Sequence, residues 1–295
     1  MEPLSVVVVG GTHGNEFSGI ELVKRWRRQP LQREGLSIQT LWSNPKAHQQ
    51  NRRYLEQDLN RQFELDKLAD GEARDYEPLL AKSLNAQIGP KGASKTDLVI
   101  DLHNTTSNMG PTLILLESDP WHRRLAGFVK ARMPEAVILL EDIKPAQQWG
   151  YLCTLGKRGV MVEVGPQPQS VLRPEILEQM ATLTELVLDY ASLAHLGDLP
   201  ELPAEVEAFR YRDTLRLPLD QQGQPLGMVH ANIDGKDFTE LKPGQPVYQL
   251  FSGEEVLFDG TESGYPHFIN EAAYYNTHNA FSLADKVCLT IPASE

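Results

Sequence analysis

Val6-Val7-Val8-Val9-Gly10-Gly11-Thr12-His13-Gly14-Asn15-Glu16 is the stretch on which the fold turns. Four consecutive β-branched residues have the composition of a strand buried in a sheet. They run directly into two glycines, a histidine and a glutamate, so a core strand ends in a tight turn that presents His13 and Glu16 at the sheet edge. Ligand crevices in open α/β sheets form at such ends. A phosphate loop is the obvious rival, but neither G-x-x-x-x-G-K-[ST] nor G-x-G-x-x-G is present, and no lysine follows before Lys24. On this stretch alone the other reading is a turn that uses its glycines only for positive φ.

Outward from this strand, short apolar runs alternate with longer amphipathic stretches. This is the pattern of an α/β layer architecture, a mixed and mostly parallel sheet flanked by helices. The expected strands are Val6 to Val9, Ser37 to Leu41, Leu98 to Leu102, Thr112 to Leu116, Ala136 to Leu140 and Val160 to Val164. Helical spacing marks Phe17 to Arg27, Phe63 to Ile88, Trp121 to Arg132 and Pro174 to His195, the last opening on a proline and closing before Gly197. The segment Gly197-Asp198-Leu199-Pro200-Glu201-Leu202-Pro203 resists both helix and central strand and reads as a linker. Residues 1–199 are therefore expected to form one domain and residues 200–295 a smaller β-rich one, with short strands at Phe209 to Leu217, Gly227 to Ala231, Pro246 to Phe251 and Val256 to Phe258.

A chain of 295 residues that is 41% hydrophobic can bury a sizeable core, which excludes disorder and small stapled scaffolds. With 28 Lys and Arg against 40 Asp and Glu, the formal charge of −12 disfavours nucleic acid and anionic membrane as partners. Cys153 and Cys288 are too few for a disulfide framework and are expected as free thiols. Met1-Glu2-Pro3 leads into the first strand with no basic n-region, and no apolar run is long enough to span a bilayer, so a cytoplasmic location is expected.

The strand Asp97-Leu98-Val99-Ile100-Asp101-Leu102-His103-Asn104 also closes on a histidine. His13, Glu16 and His103 together match a catalytic zinc site, in which three protein ligands leave a position open for water. Asp101 shares a strand face with His103 and is placed either to orient that ring or to end the strand in solvent. In Gly159-Val160-Met161-Val162-Glu163-Val164-Gly165-Pro166 a lone carboxylate interrupts an apolar strand. Either Glu163 lies on a solvated edge, or it is buried and serves as the general base that activates water and then protonates the leaving amine. Asn51-Arg52-Arg53-Tyr54-Leu55-Glu56-Gln57-Asp58-Leu59-Asn60-Arg61 concentrates arginine in an acidic chain. A solvated charge run is one explanation; a carboxylate or oxyanion clamp is the other. His48, His122, His195, His230, His267 and His278 lack ligand spacing and are read as packing or surface residues. The aromatic and polar cluster Tyr265 to Tyr275 suits domain packing or a pocket wall.

Together these residues resemble the aspartoacylase family, the N-acyl amino acid amidohydrolase branch of the zinc carboxypeptidase superfamily. The matching motifs are GGTHGNE at Gly10 to Glu16, NPKAHQQNRRYLEQDLNR at Asn44 to Arg61, DLHNTTSNMG at Asp101 to Gly110, VEVGPQPQ at Val162 to Gln169 and NEAAYY at Asn270 to Tyr275. The resemblance implies a zinc carboxypeptidase-like sheet with a β-rich C-terminal domain capping the active site, one zinc ion per subunit held by His13, Glu16 and His103, and Glu163 as base. It further implies that Arg53 polarises the scissile carbonyl, that Asn60 and Arg61 hold the α-carboxylate of a small anionic N-acyl amino acid, that Tyr274 contacts substrate, that Asp58 and Glu271 buttress the site, and that the chain forms a homodimer. N-acetyl-L-aspartate is the first substrate expected, followed by N-acyl aromatic or neutral amino acids and by a succinyl group. The arginine that mammalian aspartoacylase uses for the aspartate side chain has no equivalent in Trp149 to Thr154, where Arg158 is out of register, and lysines after NEAAYY are replaced by Asn276-Thr277-His278-Asn279. A peptidase of the parent superfamily would need an open cleft. A noncatalytic metal-dependent binding protein would be expected to lack Glu163 or Arg53.

Overall fold

The computed structural model describes residues 2–274 and 276–293; Tyr275 of the NEAAYY motif, Met1, and the last two residues of 200–295 lie outside the described residues. In chain order the strands are β1 (Leu4–Gly10), β2 (Leu36–Trp42), β3 (Leu98–Asn104), β4 (Gly110–Leu115), β5 (Val137–Leu140), β6 (Arg158–Gly165), β7 (Glu205–Arg216), β8 (Gly227–Val229), β9 (Pro246–Leu250), β10 (Glu255–Leu257), β11 (Tyr265–His267) and β12 (Asn279–Thr290). The helices are α1 (Phe17–Arg28), α2 (Pro45–Gln49), α3 (Leu65–Ala69), α4 (Tyr76–Ile88), α5 (Pro120–Arg132) and α6 (Pro174–Leu196).

A nine-stranded sheet in the order β11-β12-β7-β5-β4-β6-β3-β1-β2 forms the centre, and β10-β9-β8 form a separate small sheet. The half from β2 to β6 is parallel, β4 runs against β6, and β12 runs against both β7 and β11. The expected mixed, mostly parallel α/β architecture is therefore present, with a β-rich C-terminal part.

Period-two alternation divides the central strands between two cores. Val6, Val8, Ile100, Leu102, Val160 and Val162 point into one, where Leu22 and Trp26 of α1, Leu125 and Phe128 of α5 and Leu183 and Val187 of α6 cover them. Val7, Val9, Val99, Ile114 and Met161 point the other way, onto α4 and the buried Leu59, Phe63 and Leu152. Each fully buried Leu, Val or Phe contributes about 1.5–3 kcal/mol. On β3 and β6, Asp101, His103 and Glu163 share the parity of Val99 and Met161, so alternation alone sends them to the second face.

Helix ends follow local chemistry. Asp119 caps α5 by accepting from Trp121 N at 2.7 Å and His122 N at 3.1 Å, ahead of Pro120. Gly197 ends α6 at φ 77°, which costs a residue without Cβ little. The stretch Phe63 to Ile88, expected as one helix, is broken between α3 and α4 at Asp70-Gly71-Glu72-Ala73-Arg74-Asp75, where Asp and Gly are poor helix formers. Phe63 itself is buried outside both helices.

The larger departure is at the C-terminus. Asn279–Thr290, not expected as a strand, is β12, and it pairs along the whole length of β7 with register shifts near Asn279 and Leu283. Those shifts break the simple alternation by which a strand is recognised. β7 pairs in parallel with β5 through Leu139↔Phe209 and Leu140↔Arg210, so the chain beyond the linker continues the central sheet. Only β8, β9 and β10 stand apart, over a core of Val229, Ile233, Leu241, Val247, Phe258 and Phe281. Both cysteines are free, Cys153 buried and Cys288 exposed, and among the described residues no helix is long and apolar enough to cross a membrane.

Because β7 covers the edge of β5, a fragment ending at Leu199 would expose an apolar strand edge, a template for intermolecular pairing. Such a fragment is expected to elute as aggregate in size-exclusion chromatography; a folded monomer would show that the central sheet is complete without β7.

Candidate active site

The glycine turn after β1 is set by packing. A Cβ on Gly10 would lie 2.2 Å from Gly19 O of α1, and Gly11 adopts φ 74°. Glu16 N donates to His13 O at 3.3 Å, a single tight turn that brings the two side chains together. His13 Nδ1 lies 2.7 Å from Glu16 Oε1. From β3, His103 Nδ1 approaches Glu16 Oε2 at 3.0 Å and His13 Nδ1 at 3.2 Å.

Two imidazole nitrogens and a carboxylate thus converge, with all ligand atoms within 4.8 Å of one another. The opposite ring nitrogens are both engaged. His13 Nε2 donates to Asp58 Oδ1 at 3.0 Å, and His103 Nε2 donates to Asp101 Oδ2 at 2.9 Å. A carboxylate can only accept, so these bonds place a proton on each Nε2 and turn each Nδ1 toward Glu16. This carboxylate–histidine arrangement is the one that orients imidazole ligands toward a divalent metal, and the N, N, O donor set suits zinc. Asp101 is fully buried, and its other oxygen accepts from Thr12 Oγ1 at 2.7 Å. Of the two readings of Asp101, the buried orienting one holds.

Glu163 reaches the same place through strand register. His103 pairs with Glu163 and Asp101 with Met161 in the parallel ladder of β3 and β6. At 8% exposure Glu163 is not on a solvated edge. Burial holds its carboxyl well above the ordinary range; His103 and Arg53 pull it down, but Glu16 and Glu271 add repulsion. Burial also opposes ionisation of Glu16, yet the two histidines outweigh it and hold its carboxyl low.

The arginine-rich stretch folds over this cluster instead of lying in solvent. Arg53 Nη1 donates to Glu16 Oε1 at 2.8 Å and its Nε approaches Asp58 Oδ2 at 3.4 Å. Asp58 also accepts from Asn60 N at 2.9 Å, capping the 3-10 turn Leu59–Arg61. The Arg61 guanidinium stands 5.0 Å from the centre of the Tyr151 ring. From the C-terminal part, Glu271 accepts from Thr106 N at 2.7 Å and from the Thr105 hydroxyl, which fixes the turn that delivers Tyr274.

His13, Glu16, Arg53, Asn60, Arg61, His103, Glu163, Glu271 and Tyr274 line a single cleft of about 470 Å³, open mouth included. Asp58 and Asp101 sit behind it. Arg158 does not take part; it starts β6 at the far end and stacks on Trp121. Of the remaining histidines, His48 Nδ1 contacts Gly14 O at 2.8 Å, His122 contacts its capping Asp119, and His230 contacts Glu255.

The cleft also contains Phe268, from the aromatic cluster read as a pocket wall, and Tyr151, Glu141, Ile114 and Met161, which the sequence did not single out. Glu141 directly follows the apolar β5, the same signal by which His103 was found. Tyr151 lies in the very stretch searched for an arginine, and its hydroxyl donates to Glu141 Oε2 at 3.3 Å.

Residues 3–191 match the family model for the succinylglutamate desuccinylase/aspartoacylase catalytic domain, and residues 204–286 match that for the AstE/AspA barrel-sandwich hybrid domain. The human N-acyl-aromatic-L-amino acid amidohydrolase (carboxylate-forming) is 40% identical over 99% of this chain and 94% of its own length. Zebrafish (Danio rerio) aspartoacylase is 39% identical over 95% of this chain and 91% of its own. The crystal structure of murine aminoacylase 3 superposes with a TM-score of 0.92 at 37% identity, covering 99% of this chain and 98% of that one.

Asp101→Asn would leave the size of the side chain intact while weakening its hold on His103. Affinity for a divalent metal is expected to fall by roughly 10- to 100-fold, as read by chelator competition with metal analysis; unchanged affinity would show that Asp101 does not serve His103 as a ligand.

Proposed function

The chain belongs to the succinylglutamate desuccinylase/aspartoacylase family, and on that footing we propose that it is a zinc-dependent deacylase that hydrolyses N-acyl amino acids bearing a neutral or aromatic side chain. The observation that carries this reading is the meeting of the His13, Glu16 and His103 donors with the buried Glu163 on the adjacent strand and Arg61 across the same cleft.

His13, Glu16 and His103 would hold the metal. A zinc ion in such a site supplies a Lewis acid and water with its pKa lowered towards about 7. Glu163 accepts the proton of the attacking water and delivers it to the amide nitrogen as the carbon–nitrogen bond breaks, giving a carboxylic acid and a free amino acid. Its upward-shifted carboxyl suits the second role, since burial favours the protonated form that must carry the proton to the leaving amine. Arg53, fixed from behind by Glu16 and Asp58, offers its remaining N–H groups to the acyl oxygen. Arg61, with Asn60, receives the α-carboxylate. Tyr274, delivered by the Glu271 turn, closes the cleft against long peptides, which disfavours a peptidase. A noncatalytic metal-binding protein has no use for Glu163 and Arg53 together.

The side-chain preference rests on charge. Among the described residues, Arg53 and Arg61 are the only arginines or lysines lining the cleft, and both have tasks on the acyl and carboxylate groups. No third cation stands ready for a second carboxylate, whereas Ile114, Met161, Tyr151 and Phe268 offer apolar surface. This reverses the order of substrates expected from the sequence, and it agrees with the activity after which the human relative is named. N-acetyl-L-aspartate, the substrate implied by the name aspartoacylase, is the second reading.

A panel of zinc-loaded assays is the direct test: N-acetyl-L-phenylalanine and N-acetyl-L-tyrosine are expected to give a kcat/KM above that of N-acetyl-L-aspartate and of N-succinyl amino acids, and the reverse order would overturn the side-chain assignment. Glu163→Gln is expected to lose roughly 2 to 4 orders of magnitude in kcat with metal retained. Arg61→Ala is expected mainly to raise KM, by about 10- to 100-fold for loss of a charge-assisted hydrogen bond; an unchanged KM would place the carboxylate clamp elsewhere.

A further inference from the structure

The carbonyl oxygens of Phe63 and Trp149, far apart in the chain, lie 2.7 and 2.5 Å from one atom, Lys91 Nζ. Lys91 is only 7% exposed, and among the described residues no carboxylate lies within ion-pair distance of it. A buried ammonium without a counter-charge is costly. Burial pushes its pKa down to about 8, with Cys153 and Glu64 opposing and Lys144 adding to the shift. A Met or Leu would fill the same space without that cost, so the two main-chain bonds are what a lysine adds here.

Both bonded carbonyls end segments that build the cleft. Phe63 closes the stretch carrying Asp58, Asn60 and Arg61, and Trp149 opens the stretch carrying Tyr151. The segments are joined to each other along their length. Phe63 N donates to Gly150 O at 3.2 Å and Leu152 N donates to Asn60 Oδ1 at 2.8 Å. A Cβ on Gly150 would come within 3.1 Å of the Arg61 backbone, so the contact requires glycine or a shift. Trp149 stacks on Tyr151 at 5.0 Å between ring centres, and Tyr151 in turn faces Arg61. Lys91 is anchored from the other side, its own N–H donating to Asn85 Oδ1 of α4 at 2.8 Å. None of these bonds involves His13, Glu16, His103 or Glu163, which are placed by β1, β3, β6 and the two aspartates.

We propose that Lys91 is a positioning residue for the carboxylate-binding wall of the cleft: its ammonium clamps the Asn60–Arg61 arm against the Tyr151 arm and so sets the place of the Arg61 guanidinium, without acting on the metal cluster or the base. The kinetic part of its test rests on the proposed function, and the exchange part does not.

Lys91→Met keeps the apolar stem and removes the ammonium. Hydrogen exchange at the Phe63 and Leu152 amides is expected to quicken while the β3 amides stay protected. KM for N-acetyl-L-phenylalanine is expected to rise roughly tenfold or more, with kcat within about threefold and zinc content unchanged. Unaltered exchange at those two amides, or a wild-type KM, overturns the proposal, and so does a loss of kcat accompanied by loss of zinc, which would mark a general structural role. If the wild-type protein turns over no N-acyl amino acid, the proposed function fails while the exchange result still decides the role of Lys91. A second arm covers a variant that folds poorly: Lys91→Ala purified with n-propylammonium is expected to regain amide protection at Phe63 and Leu152 as the cation is added, and equal protection by n-propanol would overturn the clamp.

Discussion

Burying two imidazoles and the carboxylates of Glu16, Asp101 and Glu163 at one end of a sheet, with Asp58 half-buried beside them, is unfavourable unless each charge finds a partner. That requirement organises the molecule around the cleft. Asp101 is held by Thr12 and used by His103; Asp58 is shared by His13, Arg53 and the amide of Asn60. Each aspartate therefore fixes the tautomer of one imidazole while tying it to a different piece of chain. Asp58 thereby links His13 to Arg53. Glu163 is the exception, a buried carboxyl that burial and the neighbouring Glu16 and Glu271 push above the ordinary carboxylate range.

The second constraint is how the C-terminal part reaches a site built mainly by the first two hundred residues. β7 extends the catalytic sheet from β5, β12 returns along β7, and the turn before β12 brings Glu271 onto the amide and hydroxyl of Thr106. Thr105 and Thr106 directly follow β3, only a few residues from His103. A ligand-bearing strand and the segment carrying Tyr274 are thus joined by one carboxylate. Asp237 adds a parallel tie, accepting from Asn108 N and Ile269 N, each at 3.2 Å, with burial raising its pKa to about 7. The two family regions meet at the cleft through a continuous sheet and these polar ties, so the C-terminal part belongs to the fold that builds the cleft.

Apolar runs marked the strands from β1 to β6, and β7 from Phe209 onward but not its start at Glu205, because a buried sheet imposes composition as well as period. β12 escaped notice, since its bulges and the polar Asp285 and Lys286 disrupt the alternation on which the reading depends. Tyr151 and Glu141 escaped for another reason: nothing in Trp149 to Thr154 or after β5 shows which way a side chain faces until the chain is folded. Lys91 was silent too, because a lysine beside Gly92 in a loop is ordinary in sequence, and its burial against two carbonyls is a property of distant segments.

From the sequence alone came the metal-ligand and base candidates, for these depend on titratable residues at the ends of or within apolar strands, where backbone period and burial cost limit what can stand there; the roles of Arg53 and Arg61 came from the family resemblance. The tertiary structure alone decided that they meet, because the His103↔Glu163 register, the fold of the Asn60–Arg61 arm over the cluster and the delivery of Tyr274 are set by contacts between residues tens to hundreds of positions apart. It also decided what the cleft lacks among its described residues, a third cation, since charge in a sequence acquires a neighbourhood only when the chain has closed around it.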